Sequence, residues 1–165
     1  MNRQSTGVPG LDELLGGGFL PGTLTVVVGA TGIGKTQLGI QYAQAGLVAE
    51  DHAGIILDLG ARGDSQNHVD YAQRMYSRVL EPVPTPDPTD WHELFDPGRN
   101  HGDYLHVFDY QGRRVTRQDL QWEEWHEWQA ELNHKLRRTI TFLYGNFVRG
   151  VRRLVVDGVE PVGRP

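Results

Sequence analysis

Cysteine is absent from the 165 residues of this sequence, which excludes disulfide bonds and thiolate metal sites. A chain without thiols suits a reducing cytoplasm, where we expect this protein to reside. Long apolar runs are missing too: none approaches the roughly 18 residues that span a bilayer. The N-terminus has no apolar segment of the kind found in secretory signals. We therefore expect no association with a membrane.

Positive charge is also scarce, with 16 Lys and Arg against 21 Asp and Glu and a formal net charge of −5. This balance disfavours broad, non-specific nucleic-acid binding by the whole chain. Basic residues do cluster at 113–117, 135–138 and 149–153, which leaves a local nucleic-acid contact open. Solvated helix ends and ion pairs with glutamates are the simpler interpretation of these clusters.

Apolar segments and helical patterns alternate along the chain and predict one α/β domain over residues 1–165. Strands are predicted at 24–28, 54–59, 104–110 and 152–158, and helices after residue 35, at 65–80 and at 118–148. This order favours a mainly parallel sheet with flanking helices. Residues 82–103, rich in Pro, Asp and Gly, predict a loop. Within it, Asp90 has the spacing of a cap for a helical turn at 91–95.

The segment GATGIGKT, Gly29–Thr36, fits the phosphate-loop pattern G-x-x-x-x-G-K-[ST]. Its glycines let successive N–H groups curl around a phosphate, and the following helix points its positive end at the same anion. Lys35 adds a mobile positive charge, and the Thr36 hydroxyl suits Mg²⁺. We therefore predict that ATP and Mg²⁺ bind here. The predicted nucleotide contacts are Gly29, Thr31, Gly32, Ile33, Gly34, Lys35, Thr36 and Gln37.

A second element agrees with the phosphate loop. The segment RLVVD, 153–157, is an apolar strand that ends in an acid, as a Walker B strand does. We predict that Asp157 holds the magnesium ion, through water, together with Thr36. Many buried strands end in Asp, so this prediction depends on the presence of the phosphate loop.

The segment STGVPGLDELLGGGFLPGTLTVVVGATGIGKT, residues 5–36, closely resembles the N-terminal signature of KaiC-like ATPases of the RecA superfamily. The resemblance is strong over residues 5–80, weaker at 104–112 and 139–158, and absent at 82–103. It implies a RecA-like core that binds ATP with Mg²⁺, often at a subunit interface in a ring or filament. Relatives act in recombination, clock timing, gas-vesicle regulation and signalling, and the fold does not choose among these roles.

The sequence departs from the family where hydrolysis would be activated. The resemblance implies a glutamate after the second strand that orients the attacking water, but Leu59 and Gly60 occupy those positions. The catalytic candidates are Lys35, for phosphate charge, and the nearby carboxylates Asp58 and Asp64. Asp64 is also a natural helix N-cap. Glu160 is a further candidate.

The second departure is the end of the sequence. In the family, the strand after Walker B lies between the Walker A and Walker B strands, and only seven residues follow Gly158. The chain is then either part of a longer protein or an unusually reduced domain. We favour the first, because an empty slot in a parallel sheet leaves backbone groups unpaired.

Three functions follow as hypotheses. The leading one is a Mg²⁺-dependent KaiC-like ATPase. The second is a nucleotide-binding switch or scaffold with little hydrolysis, favoured by Leu59 and Gly60. The third is a DNA-dependent ATPase of the recombination type.

Overall fold

The computed structural model describes residues 2–60, 68–85, 90–96, 98–107 and 120–159. These ranges contain five helices and three strands. The helices are α1 (Pro9–Leu14), α2 (Lys35–Glu50), α3 (His68–Tyr76), α4 (Trp91–Phe95) and α5 (Trp122–Val148), and the strands are β1 (Ile55–Asp58), β2 (Tyr104–His106) and β3 (Leu154–Asp157).

The three strands form one parallel sheet in the order β2-β1-β3. Ile56 of β1 lies opposite Tyr104 on one side and Val155 on the other. All four residues of β1 are buried, as expected of the central strand in a sheet covered on both faces. The predicted α/β class with a parallel sheet and flanking helices is confirmed. The single domain over 1–165 stays a prediction.

Side chains of β1 alternate between two cores because successive residues of a strand point to opposite faces. Ile56 packs with Ile40 and Ala43 of α2 and Ala72 of α3. Ile55 and Leu57 belong to the opposite cluster, whose other buried members are Val83, Leu105, Phe142 and Val151. Helix α2 therefore covers one face of β1, and Phe142 of α5 packs on the other.

Helix α2 approaches the sheet closely because its inner surface carries small residues. A Cβ atom on Gly39 would lie 2.8 Å from Cγ1 of Val155, and Ala43 is fully buried. On Gly46, a Cβ would lie 2.4 Å from the backbone oxygen of His52. This close approach sets the start of α2 beside the end of β3.

The predicted strand at Leu24–Val28 is wrong for this structure. These residues form no strand, and the side chains of Leu24, Val26 and Val28 are 88%, 71% and 89% exposed. A strand needs a hydrogen-bonded neighbour, and among the described residues β3 pairs only with β1. Leu154 and Val156 of β3 are also exposed, at 37% and 42%. The apolar sequence alone is not enough where no neighbouring strand is present.

The other predicted elements are found, with shorter bounds. Asp90 caps α4 as expected, its side chain accepting a hydrogen bond of 2.9 Å from the backbone N–H of Glu93. The predicted strand 104–110 is observed as far as His106, and 108–110 lie outside the described residues. Helix α5 begins with a capping box between Gln121 and Glu124.

None of the described helices combines the length and apolar character needed to cross a membrane.

Candidate functional site

The phosphate-loop residues connect an irregular segment to the first turn of α2. Gly32 and Gly34 have φ angles of 82° and 101°, which L side chains rarely adopt. Gly34 is the N-cap of α2, a helix of 16 residues. As a glycine it has no side chain that could accept a hydrogen bond from the first backbone N–H groups of the helix. The loop is mostly exposed, including Gly29, Thr31 and Ile33. The local structure thus presents helix N–H groups and partial positive charge, as anion binding requires.

Lys35 turns back over this loop. Its ammonium group donates hydrogen bonds of 2.8 and 2.7 Å to the backbone oxygens of Gly29 and Ala30. Gln37, one turn into the helix, is exposed, and its Oε1 would lie 3.0 Å from a Cβ on Gly34. Lys35 is therefore the cation nearest to the backbone of the predicted phosphate site.

Thr36 and Asp157, the two predicted magnesium ligands, are in direct contact. The Thr36 hydroxyl donates a hydrogen bond of 2.6 Å to Oδ2 of Asp157, across 121 residues of sequence. Thr36 lies in the first turn of α2 and Asp157 at the carboxyl end of β3. The structure thus brings together the two residues predicted to hold magnesium, and that role stays a prediction.

His68 joins the same cluster, although no sequence motif predicts it. Its ring lies 2% exposed at the start of α3, and Nε2 is 3.0 Å from Oδ2 of Asp157. This hydrogen bond is the largest cause that lowers the pKa of Asp157 to about 2. Burial opposes the shift, and the hydrogen bonds from Thr36 and from the backbone of Gly158 add to it. Asp157 is therefore an ionised carboxylate at neutral pH.

Asp58 lies on the α2 side of the sheet, at the carboxyl end of β1. It is 1% exposed and accepts hydrogen bonds from the backbone N–H of Gly60, at 2.8 Å, and from the Tyr104 hydroxyl, at 2.9 Å. Its Oδ2 is also 3.4 Å from Nδ1 of His68. Burial and the nearby Asp58 carboxylate raise the pKa of Tyr104, so its hydroxyl remains a donor. These contacts tie the Asp58 carboxylate to Gly60, Tyr104 and His68.

Leu59 and Gly60 occupy the positions where the resemblance implies a glutamate. The Leu59 side chain packs against the cluster of Ile55 and Leu57, on the sheet face opposite Asp58. Gly60 lies against Gly158, where an added Cβ would be 2.3 Å from the Gly60 nitrogen. The ends of β1 and β3 thus approach through backbone, and neither Leu59 nor Gly60 can accept a proton. Asp64 and Glu160 lie outside the described residues.

The oxygen ligands fit a nucleotide-bound Mg²⁺ better than a metal held by protein alone. Among the described residues no group of three or more His, Asp or Glu has the arrangement of a metal site. Magnesium bound with a nucleotide needs only one or two protein oxygens, because phosphates and water complete its octahedron. The Thr36 hydroxyl and the Asp157 carboxylate supply two such oxygens side by side.

Comparison with known proteins adds to this geometry. The ATPase family model described as KaiC matches residues 4–70. The KaiC circadian clock oscillator protein of Prochlorococcus marinus is 50% identical over 42 residues, which are 26% of this chain and 8% of that protein. The DNA repair and recombination protein RadB of Thermococcus kodakarensis is 60% identical over 37 residues, 22% of this chain and 17% of RadB.

A UPF0273 protein of Sulfurisphaera tokodaii is 40% identical over 57 residues, 34% of this chain and 20% of that protein. No solved structure matches the chain. Residues 4–70 are a KaiC-like segment of the RecA superfamily. The family resemblance predicted from residues 5–36 is thus confirmed.

The KaiC-like segment contributes only part of the candidate site. It includes the phosphate loop, α2, Asp58 and His68, whereas Tyr104 and Asp157 lie beyond the match. The three relatives are matched over a fifth of their length or less. Asp157 therefore contacts Thr36 and His68 of the matched segment from a strand outside it.

Proposed function

We propose that this protein binds ATP together with Mg²⁺ at the phosphate loop and hydrolyses it, as an ATPase of the KaiC-like group. The observation that carries the proposal is the 2.6 Å contact between the Thr36 hydroxyl and Asp157 at the start of α2. Backbone N–H groups around Gly32 and Gly34, with Lys35, would hold the phosphates. Thr36 and Asp157 would hold the magnesium ion, which neutralises phosphate charge.

Hydrolysis needs a group that orients a water molecule, and the candidates within this chain are Asp58, Asp64 and Glu160. Asp58 supports the role by its position at the carboxyl end of β1, where ligands of open parallel sheets bind. Its carboxylate is engaged by Gly60, Tyr104 and His68, however, which ties it to the protein. We expect turnover to be slow for this reason.

A second candidate function is a nucleotide-binding switch that hydrolyses ATP scarcely or not at all. The specific observation in its favour is the Leu59 side chain, which packs into the apolar core where the family would place a catalytic carboxylate. In such a protein, the presence or absence of bound ATP, and not its hydrolysis, would determine the conformational state. Assembly into a ring or filament is part of both proposals, because the resemblance implies a nucleotide at a subunit interface. A DNA-dependent ATPase receives no support from the described contacts.

The test measures binding and turnover on the same samples. We expect a fluorescent ATP analogue to bind the purified protein in the presence of Mg²⁺. Lys35→Ala removes a positive charge from the predicted phosphate site and should weaken that binding by about tenfold or more, which corresponds to about 1.4 kcal/mol. The matched control is Lys135→Ala on α5, where the lysine pairs with Glu131 at 2.9 Å. It should bind as the wild type does.

Phosphate release then separates the two candidates. Turnover above background that falls in Asp58→Asn or Asp64→Asn supports the ATPase. Binding without any turnover supports the switch. Equal binding by wild type and Lys35→Ala would refute both candidates.

A further inference from the structure

The carboxyl ends of β1 and β3 are joined by a buried histidine. His68 lies at the first residue of α3, between Asp58 at the end of β1 and Asp157 at the end of β3. Only 2% of its surface is exposed. A buried imidazole gains nothing from solvent, so its position depends on the groups that surround it.

The contacts of the two ring nitrogens differ. Nε2 lies 3.0 Å from Oδ2 of Asp157, and an ionised carboxylate can only accept, so Nε2–H is the donor. Nδ1 lies 3.4 Å from Oδ2 of Asp58 without the geometry of a hydrogen bond, and it has no hydrogen-bond partner among the described residues. His68 thus binds Asp157 firmly and contacts Asp58 more loosely.

The same oxygen of Asp157 accepts from two sides. Oδ2 receives the Thr36 hydroxyl at 2.6 Å and His68 Nε2 at 3.0 Å, while Oδ1 receives the backbone N–H of Gly158 at 2.8 Å. The hydrogen bond from Gly158 comes from the residue next to Asp157. The hydrogen bond from Thr36 would be lost if its hydroxyl oxygen bound a metal ion instead. His68 is then the side chain that would keep Asp157 oriented when Thr36 changes partner.

The ring of His68 is itself held in place. It packs against Tyr104, with ring centroids 5.5 Å apart and planes inclined by 41°. The Tyr104 hydroxyl in turn donates to Asp58. A chain of contacts therefore runs from Thr36 through Asp157, His68 and Tyr104 to Asp58. All three strands and the starts of α2 and α3 take part in it.

We propose that His68 is a positioning residue that orients Asp157 for a nucleotide-bound magnesium ion. The proposal rests on the proposed function, since it assigns His68 a part in the same site. Partners that orient metal-binding side chains typically contribute 10–100-fold to metal affinity. A merely structural histidine would contribute to folding stability without changing the response to magnesium.

The experiment compares variants that keep or remove the donor to Asp157. In Gln, the side-chain amide nitrogen lies about where Nε2 is, whereas in Asn it lies about where Nδ1 is. Phe retains the ring but neither nitrogen. The measured quantity is the ratio of the affinities for a fluorescent ATP analogue with Mg²⁺ and with EDTA, and circular dichroism checks that each variant is folded.

We expect His68→Phe and His68→Asn to reduce the magnesium-dependent gain in affinity by about tenfold or more, with the affinity in EDTA unchanged within about twofold. His68→Gln should retain most of the gain. His101→Gln, which replaces another buried histidine outside the candidate site, is the matched control and should respond as the wild type. If His68→Phe does not fold, the comparison of His68→Gln with His68→Asn decides.

A wild-type response in both His68→Phe and His68→Asn would overturn the inference and leave the proposed function intact. Equal reductions of the magnesium-dependent gain in His68→Gln and His68→Asn would also overturn it. The hydrogen bond donated to Asp157 would then not be the cause of the gain. If the wild type gained no affinity from Mg²⁺, the proposed function would fail and this inference with it.

Discussion

At the scale of single residues, His101 is a buried histidine outside the candidate site. It is 3% exposed, and its ring lies so close to α5 that a Cβ on Gly145 would be 2.3 Å from Nδ1. Burial lowers the pKa of His101 below its ordinary value of 6.5, and the positive charges of Arg149 and Arg99 lower it further. The negative charge of Asp96 opposes them. The folded protein therefore keeps this imidazole neutral.

This arrangement predicts a pH dependence of stability. Because the unfolded chain binds a proton at His101 more readily than the folded one, the free energy of unfolding rises with pH in this range. The contribution is fully present above pH 6.5, the ordinary value, and is lost as the pH falls through the lowered folded pKa. We expect the wild type to lose stability from about pH 7.5 to about pH 5.5 more steeply than His101→Gln, measured by urea denaturation.

The control for this prediction is His92→Gln. His92 is exposed on α4, so solvent surrounds its ring in the folded and unfolded states alike. Its slope should equal that of the wild type. Parallel slopes for the wild type and His101→Gln would show that His101 does not contribute to the pH dependence.

The candidate site was only partly predictable at this scale. The sequence motif predicted Lys35 and Thr36, and the end of an apolar strand predicted Asp157, because local spacing encodes both. Whether Asp58 shares a face with Leu59 also follows from strand alternation once the strand is known. His68 was not predictable, because its role comes from the packing of α3 against two strand ends that are distant in sequence.

At the scale of elements, the strand prediction at 24–28 failed, whereas the helix predicted at 118–148 is observed as α5, Trp122–Val148. Helix α5 is specified by its own periodicity and capping box, so its sequence is sufficient. A strand depends on a neighbour for its hydrogen bonds, so the run LTVVV predicts a tendency and not a paired strand. The outer edge of β3, where Leu154 and Val156 are exposed, has no partner strand among the described residues.

The packing of α2 against β3 was not predictable from the spacing of apolar residues either, because a glycine of α2 faces β3 at this contact. A Cβ on Gly39 would lie 2.8 Å from Cγ1 of Val155, which is two residues before Asp157. A larger residue at position 39 would move the start of α2 away from the end of β3. The contact between Thr36 and Asp157 therefore depends on a glycine that has no chemical function of its own.

We expect Gly39→Ala to destabilise the protein by about 1–3 kcal/mol, as overpacking does in well-packed cores. The direction is informative, because Ala is otherwise favoured over Gly in a helix by about 1 kcal/mol. The cause is the stiff, branched side chain of Val155, 2.8 Å from the added Cβ. Urea denaturation measures the change.

Two further variants test the cause. Gly10→Ala in α1 adds the same methyl group where nothing lies within 4 Å, so it should be neutral or stabilising. Val155→Ala in the Gly39→Ala background should recover part of the loss. The prediction is wrong if Gly39→Ala is as stable as Gly10→Ala.

At the scale of the whole molecule, Arg153 connects the first residues of the chain to the sheet. Its side chain is fully buried at the start of β3 and pairs with Glu50 at the end of α2, with an N–O distance of 2.9 Å. It also donates to the backbone oxygens of Ser5, at 2.6 Å, and Tyr42, at 3.0 Å. The guanidinium lies 4.7 Å from the centre of the Tyr42 ring. An ion pair with a glutamate, the simpler interpretation of the basic clusters, is confirmed for this residue.

This connection explains how the KaiC-like signature is anchored. Ser5 and Thr6 begin that signature, and Asp12 of α1 accepts hydrogen bonds from both of their hydroxyl groups, at 2.5 and 2.6 Å. Arg153 holds the Ser5 carbonyl from the other side. The segment before the phosphate loop is thus fixed to β3, the strand that carries Asp157, by a residue 148 positions away.

We expect Arg153→Met to lower the free energy of unfolding by about 3 kcal/mol or more, because it leaves Glu50 partly buried without its partner. Hydrogen exchange should also accelerate at residues 4–8, since the carbonyl of Ser5 loses its donor. Arg152→Met is the matched control. Arg152 is exposed and, within the described part of the chain, donates hydrogen bonds to the nearby carbonyls of Phe147 and Val151, so its effect should stay within about 0.5 kcal/mol. A loss of stability in Arg153→Met without faster hydrogen exchange at residues 4–8 would contradict the anchoring role. Equal effects of Arg153→Met and Arg152→Met on stability and on hydrogen exchange would contradict both parts of the prediction.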